Sequence, residues 1–201
     1  MSWIKTITYE EAKGKLKRLY DRVKGVDNNI DNVLKIHSLR PHTLKGHMVL
    51  YKSVLHHSDN TFPKWYLETL GTYVSVLNMC KYCFDHHSEG IRKNLNDDLK
   101  FEQIIDAIKK DSFRNVLSPK MVAGCIYAKM LTLDHSRITN ATIDRLRDSG
   151  LDDGEILEVN QVVSYFNYVN RMVVGLGVNT EGDIIGLSPN NNEDEGNWNH
   201  Q

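Results

Sequence analysis

Apolar side chains recur three and four positions apart along almost the whole chain, the period of helices that each bury one face. Between Thr8 and Gly25 they fall at Ala12, Leu16, Leu19, Tyr20 and Val23. Thr8 with Glu11 three residues on has the form of a capping box, so the pattern predicts a first helix opening at Thr8 and closed by Gly25. Val33, Leu34 and Ile36 form a short second unit, and Pro41 opens a third through Leu44, Met48, Leu50, Tyr51, Val54 and Leu55. The polar stretch from His56 to Thr61 reads as a loop, and Pro63 suits the first turn of a helical region reaching Lys93. Phe101 to Ile108 predicts a short amphipathic helix. Ser118-Pro119 starts another through Met121, Val122, Cys125, Ile126, Ala128, Met130 and Leu131. Thr139 to Ser149, closed by Gly150, is a small helix. Asp152 or Asp153 then caps a long one from about Glu155 to Val174, followed by Gly175 and Gly177.

No segment alternates with period two between hairpin turns. The predicted fold is therefore all-α, a bundle of about seven to nine helices, with room at most for a short β pair near the end. From Pro189 the residues are Asn, Asp, Glu, Gly, His and Gln with one Trp. Such a segment carries too little apolar surface to offset its ordering entropy, so the expected organisation is a helical domain over 1–188 and a disordered or partner-dependent tail over 189–201.

Composition narrows the class. The 201 residues suit one domain with a continuous core, and a formal net charge of −1 supplies no field to gather nucleic acid or an anionic membrane. No apolar run approaches the ~20 residues of a membrane span, and Met1 to Tyr9 lacks the form of a secretory leader. Three cysteines are an odd set, two of them in C-x-x-C, which points to a reducing, cytoplasmic compartment and to redox or metal chemistry.

That chemistry centres on Cys80-Lys81-Tyr82-Cys83-Phe84-Asp85-His86-His87. On a helix each residue advances 100° and ~1.5 Å, so Cys80 and Cys83 share a face and His87 stands one turn beyond Cys83. The thiolate is the reactive form, and an imidazole one turn away can take the thiol proton. Cys80 can then resolve an oxidised Cys83 as a disulfide. Cys83 is accordingly expected to have the lower pKa and to oxidise first. If Asn78 caps a new helix, Cys80 also falls in its first turn, where the dipole favours a thiolate. Two other readings stand beside this one. The cysteines could be small core hydrophobes. Alternatively Cys80, Cys83 and His87 could be zinc ligands, with Glu68, His86 or a distant residue as the fourth.

Glu68, followed by eleven residues and then Cys80-x-x-Cys83-x-x-x-His87, resembles the signature of the alkylhydroperoxidase D (AhpD) and carboxymuconolactone decarboxylase superfamily. Leu34 to Pro41, Asn78 to Cys83 and Tyr165 to Val178 look like its peroxidase-related branch, and the likeness runs roughly from Trp3 to Val178. The resemblance implies an AhpD-like helical bundle, assembled as a dimer or a trimer of dimers. It further implies reduction of a hydroperoxide substrate through a cysteine sulfenic acid, with no cofactor, and regeneration by a thiol or a dithiol protein. By position Cys83 matches the peroxidatic cysteine, Cys80 its resolving partner, and His87 and Glu68 the proton relay. Tyr82 departs from the pattern, standing where well-studied peroxidases carry a histidine between the cysteines. A disulfide reductase serving a peroxiredoxin, or a redox-sensing or zinc-stabilised binding module, is the alternative function.

In one straight helix Glu68 would lie about 18 Å along the axis from Cys80, so the chain must turn between them, near Val76 to Asn78. Cys125 reads as a buried structural thiol, His86 as a rim residue, and His56 and His57 as solvated loop residues. Phe166, Asn167, Asn170 and Arg171 read as packing and polar bracing of the active-site helix or of a subunit contact.

Overall fold

A computed structural model describes residues 2–189, 194 and 197–200. Among them nine α-helices follow one another: α1 Gly14–Val23, α2 Asn32–Lys35, α3 Pro41–Leu55, α4 Lys64–Leu77, α5 Lys81–Leu95, α6 Asp98–Lys110, α7 Pro119–Leu133, α8 Asn140–Asp148 and α9 Asp153–Gly175. The only β feature among the described residues is an isolated antiparallel bridge between Pro189 and His200.

The middle of the bundle is α4. Every residue from Tyr66 to Ser75 is buried, because α5, α6, α7 and α9 all pack on it. Each fully buried large apolar side chain contributes roughly 1.5–3 kcal/mol, so Tyr66, Leu67, Leu70 and Tyr73 make this helix the anchor of the core. Gly71 lets α9 approach, since a Cβ there would meet the Phe166 ring at 2.1 Å. At the start of α9, Asp152 and Glu155 form a reciprocal capping box that satisfies first-turn donors.

The first helix differs from the sequence reading. Thr8 and Glu11 do exchange capping bonds, at 3.1 and 3.3 Å, yet they close a single turn. Lys13 is extended and Gly14 has φ +55°, so the helix restarts at Gly14 after a break only glycine accommodates readily. The tail also differs where it is described. Trp198 and His200 are buried, Arg22 lies 3.6 Å over the Trp198 ring centroid, and Lys52 Nζ donates to Asn197 O at 2.7 Å and to Asp194 O. One aromatic ring and one imidazole give this polar segment something to bury. The rest of the expected tail, 190–193, 195, 196 and 201, lies outside the described residues.

Candidate active site

The turn that brings Glu68 back to the cysteines lies between α4 and α5. Cys80 N–H donates to Ser75 O at 2.8 Å and Met79 N–H to Val76 O at 3.0 Å, the paired bonds of a Schellman ending with Met79 left-handed at φ +55°. A non-glycine residue there costs roughly 1–2 kcal/mol. Two amide bonds hold the turn to α9: Asn78 Nδ2 donates to Asn167 Oδ1 and to Asn170 Oδ1, both at 3.1 Å. Asn78 thus ends α4, and Cys80 itself is the N-cap of α5. Cys83 consequently occupies the first turn, so both sulfurs sit at the positive end of the helix.

Folding α5 back along α4 sets His87 against Glu68. The carboxylate is 1% exposed and lies 2.7 Å from His87 Nδ1, which is the partner a buried carboxylate needs. Gly90 makes the room, because a Cβ there would meet the Glu68 carboxyl carbon at 2.8 Å. The edge-to-face contact between His87 and Phe166, with centroids 4.6 Å apart, fixes the imidazole plane. Nδ1 is committed to Glu68, and Nε2 is the atom left for chemistry.

The two cysteines are buried side by side at the start of α5, with the Asn170 side chain close enough to bear on both thiols. Asn170 is fully buried and also donates to Ser75 Oγ at 3.1 Å. The Cys83 thiol beside it holds Cys80 below the usual thiol value, while that same pairing and burial push Cys83 up. This corrects the expectation that Cys83 has the lower pKa in the resting pair. Cys125, by contrast, is raised by burial in the core and has no part in the pair.

The sulfurs open on different sides. Cys83 lines a cavity of about 50 Å3 together with His87, Glu68, Tyr51, Tyr165 and Tyr82. Cys80 borders a separate groove of about 280 Å3, formed by Ser75, Val76, Met79, Lys81, Phe84 and Lys109. Of the site residues read from sequence, Cys83, His87 and Glu68 share the cavity and Cys80 stands behind it. His86 is buried and lines the cavity, so it is not a rim residue. His56 is 1% exposed with its ring edge-on to Tyr51, and burial holds its pKa well below the usual value, so only His57 of that pair keeps a partly solvated place. Asn167 and Arg171 brace the turn as read: Arg171 Nη1 donates to Asn167 Oδ1 at 2.7 Å.

Several cavity residues carry no signal in the sequence. Tyr51 and Tyr165 come from α3 and α9, His47 from α3, and Asp31 and His200 from segments outside the long helices. Periodicity marks the two tyrosines only as core. Tyr82 has a structural partner: its hydroxyl donates to Asp183 Oδ2 at 2.6 Å and accepts from Val33 N–H at 3.2 Å, tying the chain after α9 across the cavity. Among the described residues, no cluster of three or more His, Cys, Asp or Glu is arranged to hold a metal ion.

No protein-family model and no curated protein matches the chain. Solved structures do match. An uncharacterized peroxidase-related protein from Silicibacter sp. TM1040 is 23% identical, with TM-score 0.65 over 76% of this chain and 78% of that one. An uncharacterized peroxidase-related protein with an alkylhydroperoxidase AhpD core, from Ralstonia eutropha JMP134, is 17% identical, with TM-score 0.74 over 89% of this chain and 91% of that one. A protein of unknown function from Agrobacterium tumefaciens gives 17% identity and TM-score 0.57 over 72% of this chain and 94% of that one. A long α4–α5 hairpin with C-x-x-C at its bend, braced by α9, is thus set in a bundle whose fold is that of the AhpD-like, peroxidase-related proteins.

Proposed function

We propose that the protein is a thiol-dependent peroxidase of the AhpD and carboxymuconolactone decarboxylase superfamily, peroxidase-related branch, with Cys83 as the sulfur that meets the oxidant. One observation carries the reading: Cys83 lines a cavity beside His87, and His87 is held by the buried carboxylate of Glu68 at 2.7 Å. In the cycle His87 takes the Cys83 thiol proton. The sulfur attacks the terminal peroxide oxygen, an S–O bond forms as the O–O bond breaks, and the alcohol or water departs with a proton. Cys80 then displaces the sulfenic hydroxyl as water, closing a disulfide. A small thiol or a dithiol protein reopens it, and the groove beside Cys80 gives that reductant a sulfur to attack. Deprotonation of Cys83 reverses the resting bond, so that Cys80 S–H and Asn170 then donate to the Cys83 thiolate.

The reading includes a cytosolic location, following the odd cysteine count and the C-x-x-C, and assembly into a dimer or a trimer of dimers. Among the described residues no helix is long and apolar enough to cross a membrane. The test is mass spectrometry of a Cys80→Ser variant treated with one equivalent of peroxide and a sulfenic-acid trap. The adduct is expected at Cys83. An adduct that forms only in the Cys83→Ser variant reverses the assignment, and trapping only at Cys125 contradicts the reading.

A further inference from the structure

The C-terminal segment brings a second carboxylate-bound histidine, His200, to the cavity that holds Cys83. Four imidazoles line that space, those of His47, His86, His87 and His200. Two of them are bound to carboxylates at hydrogen-bond distance: His87 Nδ1 to Glu68 at 2.7 Å, and His200 Nδ1 to Asp31 Oδ2 at 2.9 Å. His47 has no such partner, and burial holds its pKa near 3, so it is neutral. His86 Nε2 stands 3.6 Å from the Asp183 carboxylate, beyond a hydrogen bond. His200 and Asp31 are 5% and 4% exposed, and His200 Nε2 is buried without a hydrogen-bond partner. The Tyr51 ring neighbours both carboxylate-bound imidazoles edge-on, with its centroid 6.3 Å from each. His200 is also held in place by its backbone. It bridges to Pro189, and Gly25 leaves space for its carbonyl, where a Cβ would come within 2.8 Å.

A buried imidazole whose Nδ1 is committed to a carboxylate presents Nε2 in a fixed direction, the arrangement of a general acid. A thiolate attacking a peroxide needs such an acid on the far side of the O–O bond, because the electron pair leaves on an oxygen whose conjugate acid is weak. We propose that His200, held by Asp31, is a catalytic residue that protonates the departing oxygen of a small alkyl hydroperoxide or hydrogen peroxide. This rests on the peroxidase reading of Cys83. His87 takes the Cys83 thiol proton, and the sulfur, losing two electrons, bonds to the terminal oxygen as the O–O bond breaks. The protonated His200 gives its Nε2 proton to the oxygen that leaves as alcohol or water. One proton passing from His87 to His200 across the cavity restores both. The cavity, about 50 Å3, has room beside Cys83 for a small oxidant of this class.

The test compares two oxidants of similar size in single-turnover oxidation of the reduced full chain, read as loss of the Cys83 thiol. Ethyl hydroperoxide leaves as an alkoxide and needs the acid; peracetic acid leaves as a carboxylate and does not. His200→Gln and Asp31→Asn should each slow ethyl hydroperoxide by about 100-fold while leaving peracetic acid within about threefold of the unaltered chain. The peracetic acid rate also reports that the Cys83 site has kept its fold. Equal losses with both oxidants, or no loss with ethyl hydroperoxide, overturn the role of His200. If the unaltered chain loses Cys83 to neither oxidant, the peroxidase reading fails and this inference fails with it.

Discussion

A buried carboxylate without a partner costs several kcal/mol, and Glu68, at 1% exposure, offsets that penalty through its 2.7 Å bond to His87. The cysteine pair follows the same logic with a proton as the shared element. The Cys83 thiol beside Cys80 holds the Cys80 pKa below the usual thiol value, so the first thiolate is favoured on Cys80. A Cys83→Ala variant removes that thiol, so the Cys80 pKa should rise. The thiolate is the reactive species, and the pH profile of iodoacetamide alkylation at Cys80 should therefore move to higher pH, with slower reaction at neutrality. An unmoved profile, or one moved to lower pH, contradicts the shared-proton description. At this scale the sequence spoke clearly where spacing decided the neighbour, as with Cys83 and His87 one turn apart. It was silent on Tyr51, Asp31 and His200, which meet the cavity only through tertiary folding, and on His56, whose polar neighbours in sequence hid its burial against Tyr51.

Helices with explicit boundary chemistry were readable one by one: Ser118-Pro119 before α7, Thr139 before α8 and Asp152 before α9 all cap where the residues indicate. The break between α4 and α5 was required by length, since Glu68 could not reach the cysteines along one axis, and it falls at Asn78, Met79 and Cys80. The first helix was misread because a capping box can close a lone turn as well as a helix; Gly14 decides between them. Exposed apolar side chains on other helices bear on assembly. Ile126 and Leu133 on α7, and Leu157 and Val174 on α9, are each about half exposed or more, which leaves apolar surface that a second copy can cover. Light scattering should report a dimer or a larger even-numbered oligomer. A monomer at micromolar concentration contradicts the proposed assembly.

At the scale of the molecule, the site is a chamber built by distant parts of the chain. The α4–α5 hairpin supplies sulfur and proton relay, and α9 braces the bend; Tyr82 and Asn32 hold Asp183, Lys52 holds the Asn197 carbonyl, and His200 lines the cavity. Helical class and the hairpin were evident from periodicity and motif. The places of Trp198 and His200 were not, because a single buried Trp and His cannot be recognised within a polar stretch. Such a chamber has to let the sulfurs join without dismantling the bundle. Residues three apart at the start of a helix share a face, so Cys80 and Cys83 can reach disulfide geometry with local adjustment at the Met79 bend. The most direct test oxidises the reduced chain with one equivalent of peroxide and follows thiol count, disulfide mapping and helical circular dichroism together. The account predicts that Cys80 and Cys83 join, Cys125 stays free, helicity is retained and dithiothreitol restores both thiols quickly. A bond from Cys125 to either of them, or collapse of helicity on oxidation, would contradict it.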